Sequence, residues 1–113
     1  MNLSQLQSER NIWVAKNFPG DRVEDSLMGA LEELGELAHH LLKRRQGIRG
    51  DAAFHTAEIE DAVADCVIFL AGVATHEQFD FGAAVQKAWD QVKARDWTTN
   101  KEKGTPSNEL KKG

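Results

Sequence analysis

The stretch LMGALEELGELAHHLL, residues 27–42, decides the fold of this chain. Apolar side chains recur in it every three or four residues, which is the spacing of one face of an α-helix. The spacing predicts a long helix over residues 24–46 whose apolar stripe faces a core. The basic residues 43–45 lie at its end, where cations oppose the helix dipole. The stripe consists of Leu27, Ala30, Leu31, Leu34, Leu37, Ala38, Leu41 and Leu42.

Three further segments have helical spacing: residues 3–17, 56–75 and 80–96. Ser4 is the predicted N-cap of the first, and Pro19-Gly20-Asp21 forms the turn that follows it. The third helix is apolar nearly all round in its second half, which predicts that it is buried. We therefore predict an all-α fold, a helical bundle in one domain over residues 1–97. Residues 98–113 lack apolar periodicity and are predicted to be a flexible tail.

Composition narrows the class of protein. With 113 residues, 41% of them hydrophobic, the chain suffices for one domain with a marginal core, so we expect a homodimer or homotetramer. The net charge of −4 and the short basic run argue against binding of duplex nucleic acid. The one cysteine excludes a disulfide framework. Residues 66–74, the longest apolar run, are too short to span a membrane, and we expect a cytoplasmic protein.

Two pairs of acidic residues carry the chemistry. Glu33 and Glu36 lie about 60° apart around the second helix, and Asp61 and Asp65 about 40° apart around the third. Like charges one turn apart repel each other, and no lysine or arginine lies within a turn of either aspartate. This pattern favours a cation from outside the chain. All-oxygen ligands select magnesium first and manganese second.

An acid-rich helix face is also commonly just solvated surface. An E-x-x-E pair alone favours that interpretation, and a second acid pair on an otherwise buried helix makes the two interpretations about equally plausible. The residue pattern by itself leaves both open.

The same residues resemble the MazG-like nucleotide pyrophosphohydrolases, a family that includes dUTP and dCTP pyrophosphatases. The match lies in LEELGELA at residues 31–38 and DCVIFL at residues 65–70, and the resemblance covers about residues 13–97. It implies a four-helix, MazG-like bundle completed by oligomerisation. It also implies magnesium-dependent hydrolysis of a nucleoside triphosphate between the α- and β-phosphates, which serves housekeeping of the nucleotide pool. Glu33, Glu36, Asp61 and Asp65 would bind the metal, and Glu33 or Glu36 would contact the attacking water.

One position departs from the family pattern. The second half of the motif is usually E-x-x-D, which would place a glutamate where this chain has Ala62. Asp61 is the natural substitute because an i,i+4 pair with Asp65 still shares a helix face. Glu58 is a weaker candidate for the same role.

The resemblance also suggests residues that bind substrate. Lys87, Lys93 and Arg95 are candidates for phosphate contacts, although any one of them is as readily a solvated cation at a helix end. Trp13 is a candidate for stacking on a base, with a core anchor as the alternative. His55 and His76 lie near predicted helix ends, and we expect them to be caps or surface residues.

Two other functions remain open. A phosphoribosyl-ATP pyrophosphohydrolase would cleave the same bond in a different nucleotide. A non-catalytic helical oligomer that binds partner proteins would explain the departure at Ala62.

Overall fold

A computed structural model describes residues 1–105 as four α-helices, and no strand occurs in that range. They are α1 (Leu3–Asn17), α2 (Val23–Gln46), α3 (Ala52–His76) and α4 (Phe81–Lys93). The predicted all-α class is therefore confirmed. The chain divides into two compact units, Met1–Phe81 and a second that begins at Gly82. In the first unit α2 and α1 both pack on α3.

A short connection turns the chain from α2 into α3. Gly47 ends α2 with a left-handed φ of 70°, and its amide donates to Arg44 O, so the basic run does lie in the last helical turn. Asp51 then caps α3, because its Oδ1 accepts a 2.8 Å hydrogen bond from Phe54 N. This cap starts α3 at Ala52, four residues before the predicted start.

The face of α2 that packs on α3 is not the predicted leucine stripe. It carries Ser26, Ala30, Glu33, Leu37 and His40 at intervals of three and four, and only Leu37 among them is a large apolar residue. Small side chains let the two helices approach closely, and the buried apolar residues among those described are all alanines: Ala30, Ala62, Ala71 and Ala74. The expectation that the whole stripe faces the core is therefore wrong for a single chain. Five of its leucines, which we call the leucine ridge, are 43–57% exposed: Leu27, Leu31, Leu34, Leu41 and Leu42.

Gly29 on α2 is a second point of close approach. A Cβ atom at this position would collide with the ring of Phe69 on α3. Gly35, six residues further along the same helix, has no such neighbour within 4 Å.

The start of α1 is fixed by Asn2 rather than by the predicted Ser4. Asn2 Oδ1 accepts from Gln5 N and Gln5 Oε1 accepts from Asn2 N, both at 2.8 Å, which is a capping box. Ser4 Oγ instead donates to Asp80 Oδ1 at 2.7 Å. The side-chain amide of Gln7 joins α1 to the segment after α3, because its Nε2 donates to Phe79 O at 2.8 Å and its Oε1 accepts from Phe81 N at 2.9 Å.

The second unit contains α4 and a hydrogen-bonded turn. Val85, Trp89 and Val92 form an apolar stripe on α4 that is 42–55% exposed. The helix ends three residues before the predicted position, and Asp96 N then donates to Gly104 O at 2.8 Å. The predicted tail thus begins with turns up to Thr105, and residues 106–113 lie outside the described part. No helix within residues 1–105 is long and apolar enough to cross a bilayer.

Candidate metal and phosphate site

The four predicted carboxylates lie along the contact between α2 and α3. Glu33 and Asp65 are partly buried between the helices, while Glu36 and Asp61 are exposed beside them. The antiparallel helix pair therefore brings residues 25 or more positions apart in the sequence to one place.

Electrostatics show that these acids act on each other. The pKa of the Glu33 carboxyl is raised above its ordinary value, first because the surrounding protein removes it in part from water. The negative charges of Asp65, Glu32, Glu36 and Asp61 raise that pKa further, with Asp65 the largest of them. Glu33 is thus the centre of the group, and we call Glu33, Glu36, Asp61 and Asp65 the carboxylate cluster.

The cluster has no lysine or arginine partner among the described residues. Within residues 1–105, none of its four carboxylates forms an ion pair with a lysine or an arginine. Over the same range, no three acidic, histidine or cysteine side chains already stand close enough together to share one ion. The cluster is therefore a concentration of negative charge in which only Glu36 has a basic neighbour, His40 at 3.7 Å, and its side chains must draw together to hold a cation.

Ala62 takes the position at which the motif that this chain resembles has a glutamate. Ala62 is only 4% exposed and lies in the packed contact with α2, where a glutamate would have to be buried. Asp61 lies one residue earlier on the exposed side of α3, and its charge is among those that raise the pKa of Glu33. Glu58 does not contribute to that shift; its Oε2 lies 3.9 Å from His40 Nε2 instead. These positions favour Asp61 over Glu58 as the fourth acid.

His40 and His55, which no sequence pattern paired, meet one turn beyond the cluster. His55 is 1% exposed, so the expectation of a cap or surface residue is wrong. His40 Nδ1 lies 3.0 Å from His55 Nδ1, and His55 Nε2 lies 2.9 Å from Ile48 O. The sequence feature that could have indicated the burial of His40 is its position two turns after Glu33 on the same face of α2. The other predicted surface histidine, His76, is exposed and pairs with Asp21 at 2.9 Å.

A cavity of about 450 Å³ adjoins the helix pair at its other end. Its lining includes Phe69, one turn after Asp65, and Phe18, which packs against Trp13 with ring centroids 5.7 Å apart. Trp13 is 57% exposed, so it is not a core anchor in this chain. The remaining lining residues are Gly20, Asp21 and Asp25.

Arg10 and Ser26 are two polar residues of the first unit that are partly or fully withdrawn from solvent. The Arg10 guanidinium carbon lies 5.9 Å from the centre of the Phe69 ring, and burial lowers the pKa of Arg10 while the charge of Asp21 raises it. The hydroxyl of Ser26 is fully buried and has no hydrogen-bond partner. A guanidinium group and a hydroxyl group therefore lie in the same part of the chain as the aromatic residue Phe69.

The predicted phosphate-binding cations all belong to the second unit. Lys87 is exposed on α4, and Lys93 Nζ pairs with Asp90 Oδ1 at 3.1 Å. Arg95 follows the end of α4 and lines a cavity of about 360 Å³ together with Lys103. Their role toward a substrate stays a prediction.

No protein-family model matches the chain, and no curated protein or solved structure matches it either. The functional argument therefore depends on the geometry of the site and on the resemblance of its motifs.

Proposed function

We propose that this chain is a magnesium-dependent nucleoside triphosphate pyrophosphohydrolase, which releases a nucleoside monophosphate and pyrophosphate by hydrolysis between the α- and β-phosphates. The observation that carries the proposal is the placement of four carboxylates along the contact between α2 and α3, with Glu33 and Asp65 partly buried and no lysine or arginine paired with any of the four within residues 1–105. The charges of the other acids raise the pKa of Glu33, and a bound cation would remove this repulsion.

The donor set of the carboxylate cluster fits the proposed metal. Four carboxylates offer only oxygen atoms, which suit magnesium and, second, manganese. Bound there, the ion would screen the charge of the triphosphate and activate a water molecule for attack. Glu36 and Asp61 are exposed and accessible to a phosphate chain, and the more buried Glu33 and Asp65 would hold the ion from below.

A carboxylate of the cluster would also take the proton of the attacking water. A base works best when its pKa is close to the ambient pH, and the pKa of Glu33 is shifted in that direction. Glu36 is the alternative because it is exposed on the same side of α2. Either residue would need to lie within hydrogen-bond reach of the water.

The nucleoside end of the substrate would occupy the cavity beside Phe18 and Phe69. Phe69 lies one helical turn from Asp65 on α3, so a base placed against its ring would leave the phosphates near the cluster. Trp13, which packs on Phe18, would extend this aromatic surface. Lys87, Lys93 and Arg95 remain candidates for neutralising the phosphates.

We also propose that the working form is a homodimer or a homotetramer in the cytoplasm. The leucine ridge on α2 is exposed in a single chain, and the buried apolar side chains among the described residues are alanines. Full burial of one leucine stabilises a protein by about 1.5–3 kcal/mol, so pairing of these ridges would supply the missing core.

The decisive experiment incubates the purified protein with Mg²⁺ and a panel of ribo- and deoxyribonucleoside triphosphates together with phosphoribosyl-ATP. We expect pyrophosphate and the matching monophosphate from at least one substrate. Glu36→Gln and Asp61→Asn should each reduce kcat at least 100-fold with unchanged helicity, because each removes a charged metal ligand. Glu60→Gln, on the exposed side of α3, is the matched control and should retain full activity.

The outcomes separate the alternatives. Cleavage of phosphoribosyl-ATP alone would identify the related pyrophosphohydrolase. Full activity of Asp61→Asn would indicate that Glu58, and not Asp61, is the fourth metal-binding acid. No pyrophosphate from any nucleotide, in a folded and oligomeric protein, would contradict the proposal and favour the non-catalytic oligomer.

A further inference from the structure

The protons of the buried histidine pair can be placed from its hydrogen bonds. Ile48 O can only accept, so His55 Nε2, 2.9 Å away, carries a hydrogen. In the neutral ring His55 Nδ1 is then an acceptor. His40 Nδ1, 3.0 Å from it, must be the donor. In the neutral pair, His40 Nε2 is therefore left with a lone pair.

Two carboxylates lie near this nitrogen. His40 Nε2 lies 3.7 Å from Glu36 Oε2 and 3.9 Å from Glu58 Oε2. Both distances exceed those of a hydrogen bond, and the nitrogen lone pair attracts carboxylate oxygens only through a positive charge between them, which either a proton on Nε2 or a metal ion supplies. The His40 side chain is nine-tenths buried, so water cannot freely solvate the nitrogen.

We propose that His40 Nε2, Glu36 and Glu58 form a binding site for a divalent transition-metal ion such as Zn²⁺. Imidazole nitrogen and carboxylate oxygen are both ligands of such an ion, and water would take the fourth position. Ligand atoms about 2.0 Å from a tetrahedral ion lie roughly 3.3 Å apart, so each carboxylate must approach by about half an ångström. Glu36 and Glu58 are 57% and 46% exposed, which leaves them free to make this movement.

The histidine pair supplies the support that metal-binding histidines usually have. A ligating imidazole commonly donates its other N–H to a fixed acceptor, which sets its tautomer and orientation. Here His40 donates to His55, and His55 is anchored on Ile48 O in the α2–α3 connection. The orientation of His40 is therefore fixed before any ion arrives.

The site differs in chemistry from the carboxylate cluster but shares Glu36 with it. An imidazole ligand favours zinc, cobalt or nickel over magnesium. An ion held by His40 would draw Glu36 away from the cluster, so we expect Zn²⁺ to inhibit the Mg²⁺-dependent reaction. This consequence depends on the proposed function, whereas the metal site itself does not.

The test is a Co²⁺ titration of the full-length protein without nucleotide, followed by visible absorption. We expect one Co²⁺ per chain with the intense absorption of a four- or five-coordinate ion. Glu58→Gln and His40→Gln should weaken its binding at least ~10-fold, as loss of a supporting or ligating group at metal sites does. His39→Gln is the matched control, because His39 is the exposed neighbour of His40 and should leave the titration unchanged.

A double variant distinguishes this site from the carboxylate cluster. Glu33→Gln combined with Asp65→Asn should keep the cobalt absorption, since neither residue belongs to the histidine site. Two results would overturn the proposal. The first is loss of the absorption in this double variant together with its retention in folded Glu58→Gln and His40→Gln. The second is the absence of Co²⁺ uptake by the wild-type protein. Glu58→Gln keeps the test valid should His40→Gln fail to fold, because Glu58 is half exposed.

Discussion

At the scale of single residues, Glu33 is a carboxylate whose charged form is disfavoured in the folded chain. Burial and four neighbouring acids both disfavour its charge, so its pKa in the folded chain lies above that in the unfolded chain. The folded state then holds its proton more tightly, and the free energy of unfolding falls as the pH rises through this interval. Below the ordinary pKa of glutamate, the carboxyl is protonated in both states and this loss in the free energy of unfolding is absent.

We therefore expect Glu33→Gln to stabilise the metal-free protein at pH 7 by about 0.5 kcal/mol, which is the size of like-charge repulsion one helical turn apart. The gain should disappear near pH 4, where glutamate is protonated in both states. Urea unfolding followed by circular dichroism at the two pH values measures the difference.

Glu60→Gln is the control for this prediction, because Glu60 is exposed and does not act on the pKa of Glu33. An equal gain from both substitutions would show that net charge matters and the local cluster does not. A loss of stability in Glu33→Gln at pH 7 would contradict the assigned direction of the pKa shift.

Sequence spacing predicted that Glu33 and Glu36 share one helix face and that Asp61 and Asp65 share another, and two of these residues, Glu33 and Asp65, are partly buried in the structure. Sequence spacing leaves the joint role of the four carboxylates a prediction. It missed His40 and His55 because helical periodicity does not tell which of two adjacent ridges meets the next helix. The burial of Ala62 depends on the same choice of ridge.

At the scale of helices, α2 and α3 could be predicted to within four residues because strong local signals bound them. Gly47 and the turn at residues 19–21 are such signals, and the Asp51 cap extended α3 beyond its apolar pattern. The contact between the helices could not be predicted in the same way. The hydrophobic pattern predicted that the leucines of α2 form the contact, whereas α3 packs on a face with small residues that allow close approach.

Two glycines on α2 test this close approach. Gly29→Ala should destabilise the protein by about 1–2 kcal/mol, since the new methyl group must displace the Phe69 ring and overpacking outweighs the gain in helix propensity. Gly35→Ala has open space and should stabilise it by about 0.5–1 kcal/mol. Thermal unfolding of both variants measures the contrast, and equal effects would show that α3 does not lie against Gly29.

At the scale of the whole molecule, the leucine ridge is the feature that a single chain leaves unexplained. We expect the wild-type protein to have two or four times the 12.6 kDa mass of one chain in light scattering after size exclusion. Leu31→Lys with Leu41→Lys should shift it toward the single-chain mass, because charges would then have to be buried in the interface. Lysine keeps the helix propensity, so helicity should be retained.

Ile48→Lys provides the control for the oligomer prediction. Ile48 is 46% exposed but lies in the connection after α2, away from the ridge. Its substitution should leave the mass unchanged. A wild-type protein of single-chain mass at micromolar concentration would contradict the proposed assembly.

The side-chain amide of Gln7 carries a consequence for proteolysis. One short group satisfies both the carbonyl of Phe79 and the amide of Phe81, so a single side chain fastens the peptide that leads out of α3. Gln7→Ala would free both backbone groups and let this peptide adopt the extended form that proteases bind. Chymotrypsin, which cuts after phenylalanine, should then cleave at Phe79 or Phe81 several times faster than in the wild-type protein, while Gln5→Ala, which affects only the cap at Asn2, should not accelerate that cut.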